Sequence, residues 1–290
     1  MISQNVRLLR AIGLILLFAL IRLIPYSNGN AANLTALNPE QSGWKLVWCD
    51  EFDHSGPPDA SKWNYEQGLV RNGEPQYYTS HPQNVRVDDG KLVLEAQQEK
   101  FLFGRKGKTA DYTSGSISTE GRSSWLYGRF EISAKLPPGR FVWPAFWMTG
   151  ADRQQVRWPK CGEVDIMEYF GRRAPGVFSS VHFFSQDSKH RDHSSQIGGR
   201  IVSPTLNSEF HIYALEWYPD RLDFYLDGTK YNTIPISAVD DNGWGAFRKP
   251  MCIRLNLALD KFGFPVDPAL IPAKFDVRYV RVYQKQGAGL

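Results

Sequence analysis

A series of short stretches with the composition of β-strands runs along the chain, and turn signals separate them. The stretches cover residues 45–52, 91–96, 127–135, 142–149, 163–170, 177–184, 211–217, 221–226, 251–259 and 275–283. Asp89-Gly90 and Asp227-Gly228 are typical of tight turns between strands. Helical periodicity is nearly absent after residue 29. Because many short strands separated by turns build sandwiches, jelly rolls or barrels, the sequence predicts an all-β fold.

Residues 1–29 have the pattern of a targeting segment. Arg7 and Arg10 form a basic start, and residues 11–21 form an apolar run that is too short for a spanning helix. The small residue Gly29 offers a processing site. We therefore predict a signal peptide that exports the protein to the periplasm, the cell surface or the medium. An N-terminal anchor is the alternative, and the protein would contact a membrane only if this leader stays uncleaved.

Composition divides the rest of the chain into three parts. Residues 30–43 are polar without an apolar period and predict a linker, whereas residues 286–290 predict a short tail. Residues 44–285 hold all the strand patterns and contain no obvious linker. They predict one domain of a size that β-sandwiches commonly reach, and we expect it to be a monomer.

The charge of the chain argues against nucleic acid as a partner. The formal net charge is +4, but Arg7, Arg10 and Arg22 of the leader account for three of these charges. A nearly neutral domain has no electrostatic footprint for nucleic acid or anionic lipid. The aromatic fraction is high at 13%, and excess aromatic rings are typical of stacking surfaces as well as of cores. Composition therefore favours a sugar over nucleic acid as the ligand.

The cysteines predict no disulfide framework. Cys49, Cys161 and Cys252 are three, and an odd number cannot be fully paired. We expect buried free thiols, with a single bridge between Cys49 and Cys252 as the alternative. The sequence also contains no CxxC, no HExxH and no Gly-rich phosphate loop.

Three acids within six residues mark the most informative strand pattern. Side chains of a strand alternate between faces, so Glu163 and Asp165 share a face, and Glu168 has the wrong parity to join them. One extra residue at Ile166 or Met167, accommodated as a β-bulge, would return Glu168 to the acidic face. Bulges of this kind re-aim side chains beside active sites. A solvated edge strand with outward acids is the alternative.

The spacing of the two glutamates points to a mechanism. With one bulged residue, Glu163 and Glu168 would lie roughly 13 Å apart at Cα. Leaning inward, they would leave about 5 Å between carboxyl groups, which is the separation in a retaining glycosidase. Asp165 lies between them and can modulate a glutamate pKa. Since three close acids cannot all ionise cheaply, one should hold the proton that a general acid requires.

Aromatic residues flank this pattern on both sides. They are Trp143, Phe146, Trp147 and Trp158 upstream, and Tyr169 and Phe170 downstream. Acids that face an aromatic cleft predict chemistry on a neutral polyol.

These residues resemble glycoside hydrolase family 16, and specifically its laminarinase-like branch. The family signature Glu-x-Asp-x-x-Glu matches Glu163-Val164-Asp165-Ile166-Met167-Glu168 in its bulged form. The resemblance extends over most of residues 44–283. Its supporting motifs are Trp48-Cys49-Asp50-Glu51-Phe52, Gln76-Tyr77-Tyr78-Thr79, Tyr127-Gly128-Arg129-Phe130-Glu131, Trp143-Pro144-Ala145-Phe146-Trp147-Met148, Ala214-Leu215-Glu216-Trp217 and Tyr279-Val280-Arg281-Val282-Tyr283.

The resemblance implies a fold and a set of catalytic roles. The fold would be a concanavalin A-like β-jelly-roll sandwich whose concave face binds a polysaccharide. Hydrolysis would proceed by double displacement with retention. Glu163 would be the nucleophile, Asp165 its assistant and Glu168 the general acid/base, and no catalytic metal or cofactor is implied.

The resemblance also implies substrate contacts. Trp143, Trp147 and Trp158 match positions that line the sugar cleft of the family, and core packing is the alternative for each. His182 matches a cleft histidine, and a structural histidine is its alternative. Asn72 lies in a stretch that resembles a donor-side contact loop, although Gly73 stands where the family often has a second asparagine.

A glucanase is one of several activities that such a site allows. The leading hypothesis is an exported endo-acting enzyme that cleaves a β-linked polysaccharide, namely a laminarin-like β-1,3-glucan. A transglycosylase, or a hydrolase of the galactans agar and carrageenan, would use the same residues. A lectin-like binding domain is the alternative of another class, since jelly rolls also bind sugars without chemistry.

Two positions bear on metals. Many laminarinase-like relatives hold a structural Ca²⁺ with an acid where Arg278 stands here, so the resemblance makes that ion doubtful. We expect Arg278 to pair with Glu51 instead, and Ca²⁺ near Asp276 is the alternative. Residues 186–199, which we predict to form a loop, contain a second set of potential metal ligands. Because no strand or helix would hold these side chains in place, we expect a solvated loop rather than a metal cluster. The potential ligands are Asp187, His190, Asp192 and His193.

Overall fold

The computed structural model describes residues 23–24, 39, 43–186, 192–239, 241–260 and 265–285. Nearly all regular structure in these ranges is β. The strands are β1 (Leu23–Ile24), β2 (Trp44–Asp50), β3 (Asn64–Tyr65), β4 (Gln76–Tyr78), β5 (Val85–Asp88), β6 (Lys91–Phe103), β7 (Lys108–Ser114), β8 (Ser116–Ser118), β9 (Gly128–Lys135), β10 (Val142–Gly150), β11 (Glu163–Glu168), β12 (Gly176–Gln186), β13 (Asp192–Val202), β14 (His211–Trp217), β15 (Arg221–Leu226), β16 (Thr229–Pro235), β17 (Met251–Leu259) and β18 (Ala273–Lys285). One α-helix, α1 (Arg153–Val156), lies between β10 and β11.

The strands form two sheets. The first has the order β1-β13-β12-β11-β10-β17-β8-β3, and the second has the order β16-β15-β14-β9-β18-β6-β7-β4. In addition, β2 pairs with β18 and β5 pairs with β6. Neighbours distant in sequence, such as β10 and β17, reflect crossovers between the sheets. The structure confirms the predicted all-β jelly-roll sandwich, and every predicted strand coincides with an observed one.

The hydrophobic core lies between the two sheets. On β11 the apolar side chains of Val164, Ile166 and Met167 face this core, and on β10 those of Phe146 and Met148 do so. All five are nearly inaccessible to solvent. Burying each such side chain stabilises the fold by about 1.5–3 kcal/mol. The alternate residues of β10 and β11 therefore lie on the outer face of the first sheet.

A β-bulge interrupts β11 where the sequence predicts one. Phe146 of β10 lies opposite Met167, but the next residue, Trp147, lies opposite Asp165. Ile166 is the extra residue. Its insertion turns both Ile166 and Met167 to the core and returns Glu168 to the face that carries Asp165.

The predicted loop at 186–199 is wrong, because β13 begins at Asp192 and pairs with β12 over its whole length. Gly198 and Gly199 allow this pairing: a Cβ at Gly198 would lie 2.6 Å from the carbonyl oxygen of Ser179. The strand is held by main-chain hydrogen bonds to β12, which any residue except proline can form. Its polar sequence therefore lacks the apolar alternation from which a half-buried strand is predicted. The potential metal ligands of this stretch have side chains outside the described residues.

Most of the predicted leader, the linker and the tail also lie outside the described residues. Within the leader, Leu23–Ile24 pairs in parallel with Arg200–Ile201 of β13. In the part of the chain that the structure describes, no helix is long and apolar enough to cross a membrane.

All three cysteines are free thiols, and no bridge joins Cys49 to Cys252. Cys161 and Cys252 are buried at the first sheet, whereas Cys49 on β2 is partly exposed. Burial raises the pKa of Cys161 and of Cys252 to about 11.

Candidate active site

The three acids of β11 meet on the outer face of the first sheet. Asp165 is 3% exposed and accepts a hydrogen bond of 2.5 Å from the hydroxyl of Ser180 on β12. His182, two residues along β12, places its Nε2 atom 3.2 Å from Asp165 Oδ2 and 3.8 Å from Glu163 Oε1. Glu168, beyond the bulge, accepts a 3.0 Å hydrogen bond from the indole Nε1 of Trp143. The bulge thus places all three carboxyl groups on one face of the sheet, where each has its own polar neighbours.

Burial controls the protonation of these acids. It raises the pKa of Glu163 to about 8, with a further rise from the charge of Asp165 and opposing effects of His182, Arg71 and Trp158. Burial also raises the pKa of Asp165 to about 7, against the hydrogen bonds from Ser180 and Glu163. The pKa of Glu168 rises well above its usual range, through burial first and then through the charge of Asp165. The cluster therefore retains protons near neutral pH.

Two of these acids, together with His182, lie close enough to coordinate a single metal ion. Donor atoms of Glu163, Asp165 and His182 all lie within 4.8 Å of one another. An ion there would occupy the carboxylates of the cluster.

The three predicted cleft tryptophans lie in different environments. Trp158 is 49% exposed, and its ring centroid lies 6.3 Å from that of His182. Trp143 is partly exposed and packs on Phe170 with 4.8 Å between centroids. Trp147 is only 7% exposed, and its Nε1 donates a 2.7 Å hydrogen bond to Asn256. Trp143 and Trp158 therefore present ring surface to solvent beside the acids, while Trp147 forms part of the floor.

Asn72 does not contact the three acids. Its backbone is left-handed, with φ of 56°, and its side-chain amide donates to Glu74 at 2.9 Å. Glu74 accepts in turn from Tyr78, whose hydroxyl also accepts from Asn256. Asn72 is thus linked to Trp147 through a chain of hydrogen bonds below the surface.

The floor of the site contains charged residues that our sequence analysis missed. We call Glu66, Glu120, Arg71 and Arg254 the guanidinium network. Arg254 is 1% exposed and forms ion pairs with both glutamates, while Arg71 forms one with Glu66. The two guanidinium groups lie 4.9 Å (Arg71) and 5.5 Å (Arg254) from the ring centroid of Trp147.

A signal for one member was present in the sequence. Arg254 and Asn256 alternate with apolar residues in β17, so strand parity places both on the outer face. Arg71 and Glu66 lie outside regular strands and gave no comparable signal.

The expected pairing of Arg278 with Glu51 is wrong. Glu51 pairs with Arg281 through two hydrogen bonds of 2.8 Å, because Arg281, not Arg278, lies on the side of β18 that faces the end of β2. The guanidinium of Arg278 instead stacks on Phe210 at 3.8 Å.

A Ca²⁺ ion needs several oxygen ligands. Arg281 already occupies both oxygens of Glu51, so that location does not fit the ion. At the alternative location, Lys135 Nζ lies 3.6 Å from Asp276 Oδ2, whereas Asp276 Oδ1 is buried without a hydrogen-bond partner among the described residues. That location keeps one carboxylate oxygen for a cation.

Comparisons with known proteins agree with this geometry. Residues 72–259 match the family described as glycosyl hydrolases family 16. The chain is 41% identical over 257 residues to a β-glucanase of Rhodothermus marinus, covering 83% of this chain and 85% of that protein. It is 34% identical over 274 residues to glucan endo-1,3-β-glucosidase A1 of Niallia circulans, covering 87% of this chain and 39% of that longer protein.

A solved structure gives the same result. The X-ray structure of the laminarinase from Rhodothermus marinus superimposes with a TM-score of 0.74 at 38% identity, covering 83% of this chain and 98% of that one. The family match includes β11, the strand that carries the three acids, and it agrees with the sequence identities and with the fold. The chain belongs to glycosyl hydrolase family 16.

Proposed function

We propose that this glycoside hydrolase cleaves internal linkages of β-1,3-glucan with retention of the anomeric configuration. The observation that carries the proposal is the bulged strand β11, which presents Glu163, Asp165 and Glu168 on one face beside exposed tryptophan rings. The β-1,3-glucan specificity is supported by the names of the relatives. Membership of a hydrolase family favours an enzyme over the lectin alternative.

The first step forms a glycosyl-enzyme. The Glu163 carboxylate attacks the anomeric carbon while the bond to the leaving oxygen breaks and Glu168 gives that oxygen its proton. The raised pKa of Glu168 keeps this proton available near neutral pH. In the second step Glu168, now ionised, takes a proton from water, and the water oxygen displaces Glu163 from the anomeric carbon.

Asp165 acts on the nucleophile. It lies between Ser180 and His182, which fix its orientation, and it shares a hydrogen bond with Glu163. Burial is the main cause of the raised pKa of Glu163, and the charge of Asp165 raises it further, whereas His182, Arg71 and Trp158 lower it. Together these influences set the fraction of Glu163 that is ionised for attack.

Trp158 and Trp143 are proposed to hold the sugar rings. Trp158 is exposed over His182, and Trp143 both borders the site and donates to Glu168. An apolar sugar face packs on such rings as other apolar groups do. We further propose, on the leader sequence alone, that the enzyme is exported and meets its polysaccharide outside the cytoplasm.

Azide rescue distinguishes the roles of the two glutamates. With an activated β-glycoside, Glu163→Ala plus azide should yield the α-glycosyl azide, because azide attacks from the face that the nucleophile has left. Glu168→Ala plus azide should yield the β-glycosyl azide, since azide intercepts the glycosyl-enzyme. The exposed Glu209→Ala is the matched control and should retain activity. Identical azide anomers from both variants would contradict the assignment.

Specificity is tested with a panel of laminarin, lichenan, agarose and carrageenan, followed by sizing of the products. We expect early accumulation of mixed oligosaccharides from laminarin. Cleavage confined to agarose or carrageenan would favour the galactan alternative, and products longer than the substrate oligosaccharide would favour the transglycosylase.

A further inference from the structure

Three arginines surround two phenylalanine rings at one margin of the site; we call them the arginine patch. The guanidinium of Arg172 lies 4.7 Å from the ring of Phe170. Arg173 lies 5.7 Å from Phe170 and 5.5 Å from Phe178, and Arg200 lies 5.5 Å from Phe178. Stacking on the rings orients the guanidinium planes and reduces the entropy that they lose on binding a ligand.

The arginine patch is continuous with the catalytic strand. Phe178 lies directly opposite Glu168 in the register of β11 and β12, and Arg200 lies opposite Phe178 in that of β12 and β13. All three side chains therefore share the outer face of the first sheet. The ring of Phe170 also packs on Trp143, whose indole contacts Glu168. A sugar bound at Glu168 would extend toward these cations.

Two of the three charges are not compensated. Arg172 forms an ion pair with Asp260. Arg173 and Arg200 have no carboxylate partner among the described residues; the contact between them is a 3.1 Å hydrogen bond from Arg200 Nη2 to the carbonyl oxygen of Arg173. Arg200 Nε is buried and lacks a hydrogen-bond partner. Since Nε packs against Gly176, a ligand from solution would be bound by the terminal nitrogens of the two guanidinium groups.

Two buried arginines elsewhere on the sheets are compensated by carboxylates. Arg129 pairs with Glu131 and Glu216, and Arg254 pairs with two glutamates of the guanidinium network. The patch departs from this arrangement beside an active site, where two adjacent uncompensated cations repel each other unless an anion lies between them.

We propose that the patch binds an anionic substituent, a sulfate ester or a carboxylate, on a sugar unit next to the scissile bond. The enzyme would then prefer an anionic β-glucan over the neutral polymer; this inference rests on the proposed glucanase function. Planar guanidinium groups form paired hydrogen bonds to the oxygens of either substituent.

Binding is measured by calorimetry with the full chain carrying Glu163→Gln, which prevents turnover. The ligands are laminarin oligosaccharides that are neutral, lightly sulfated or lightly carboxymethylated. We expect at least one anionic form to bind about tenfold more tightly than the neutral form, and the anion that does so identifies the substituent. The preference should decrease as the salt concentration rises.

Arg173→Gln and Arg200→Gln should each reduce this preference without weakening neutral laminarin binding. Arg278→Gln is the matched control, since it removes a guanidinium stacked on a ring of the other sheet, and it should change nothing. Equal affinity for neutral and anionic ligands, or an equal loss for both in the patch variants, would overturn the proposal.

Hydrolysis of neutral laminarin by the unmodified enzyme is measured in parallel. If neutral laminarin is cleaved and no anionic preference exists, the inference fails while the proposed function stands. If no β-1,3-glucan of any charge is cleaved, the proposed function itself has failed.

Discussion

Two glutamates on the same sandwich show how neighbours decide the state of a buried acid. Glu66 accepts hydrogen bonds from Arg71 and Ser116 and pairs with Arg254, and these contacts lower its pKa to about 2 despite its burial. Glu163 is likewise mostly shielded from solvent, but here burial and then the charge of Asp165 outweigh the opposing effects of His182, Arg71 and Trp158, and the pKa rises to about 8. One glutamate is a fixed anion, and the other exchanges its proton near neutral pH.

The comparison distinguishes carboxyl groups that stabilise the fold from those that can take part in chemistry. The second sheet contains acids of the first kind: Glu131 accepts hydrogen bonds from Arg129 and Tyr279, and Glu216 accepts hydrogen bonds from Arg129 and two tyrosines. These paired acids connect neighbouring strands and leave no oxygen facing a reacting group. Acids that lack a cation at close range remain available for proton transfer.

The two glutamates also predict opposite dependences of stability on pH. The folded-state pKa of Glu66 lies below its ordinary value of 4.5, so its contribution is present above pH 4.5 and is lost as the pH falls toward 2. The folded-state pKa of Glu163 lies above 4.5, so the protonated form favours the folded state at low pH, and this contribution is lost as the pH rises through about 8.

The largest expected effect follows from replacing the exchanging glutamate. Glu163→Gln should reduce kcat on laminarin by about 10⁴-fold or more, because an amide cannot form the glycosyl-enzyme. Its free energy of unfolding at neutral pH should not fall, since the amide resembles the protonated acid already present. Steady-state kinetics and urea denaturation check the two expectations. If Glu163→Gln destabilised the fold as much as we expect of Glu66→Gln, the two glutamates would not differ in the way described above.

The same substitution at the paired glutamate should destabilise the fold. Glu66→Gln leaves Arg254 buried without its full charge compensation, which costs about 3–5 kcal/mol. Urea denaturation at pH 7 measures this loss, and Glu209→Gln is the control because Glu209 is exposed. The variant should also lack the decrease in stability below pH 4.5 that we expect Glu66 to cause in the native protein. An unchanged midpoint would mean that the network does not hold Glu66 as an anion.

A smaller change sharpens the account of the catalytic acids. Burial and the charge of Asp165 both raise the pKa of Glu163 and of Glu168. Asp165→Asn removes the charge and keeps the volume, so both limbs of the bell-shaped profile of kcat/KM should move to lower pH. Profiles of native and variant enzyme on laminarin check this. A profile that loses height without moving would assign Asp165 a purely positional role.

The smallest expected effect concerns Ca²⁺. Arg281 already neutralises Glu51, so EDTA should leave Tm unchanged and millimolar Ca²⁺ should not raise it. Scanning calorimetry would detect the shift of ~2–4 °C that 1 kcal/mol produces in a domain of this size. A calcium-dependent rise of that size would show that a site exists despite Arg278 and Arg281.

Local patterns predicted most of the first sheet. Alternation placed Val164 and Ile166 in the core, and the parity of Glu168 required the bulge that the structure contains. Three tryptophans were predicted to line the cleft, but pattern alone could not separate exposed Trp158 from buried Trp147.

The remaining features depend on contacts between distant segments. Trp147 is buried because Arg71, from an irregular loop, lies over its ring. Glu51 pairs with Arg281 rather than Arg278 because of the register between β2 and β18. The arginine patch forms only when β12 and β13 pair, and we predicted a loop for much of β13 from its polar composition. None of these depends on periodicity within a single segment.

The three free thiols make local opening of the first sheet measurable. Cys161 and Cys252 are buried at that sheet with their thiol pKa raised, so alkylating reagents can reach them only while the region is transiently open. Cys49 on β2 is partly exposed and can react without such an opening, so it provides a reference rate. The labelling rates of Cys161 and Cys252 relative to that of Cys49 therefore measure how often the first sheet opens, without the introduction of any probe.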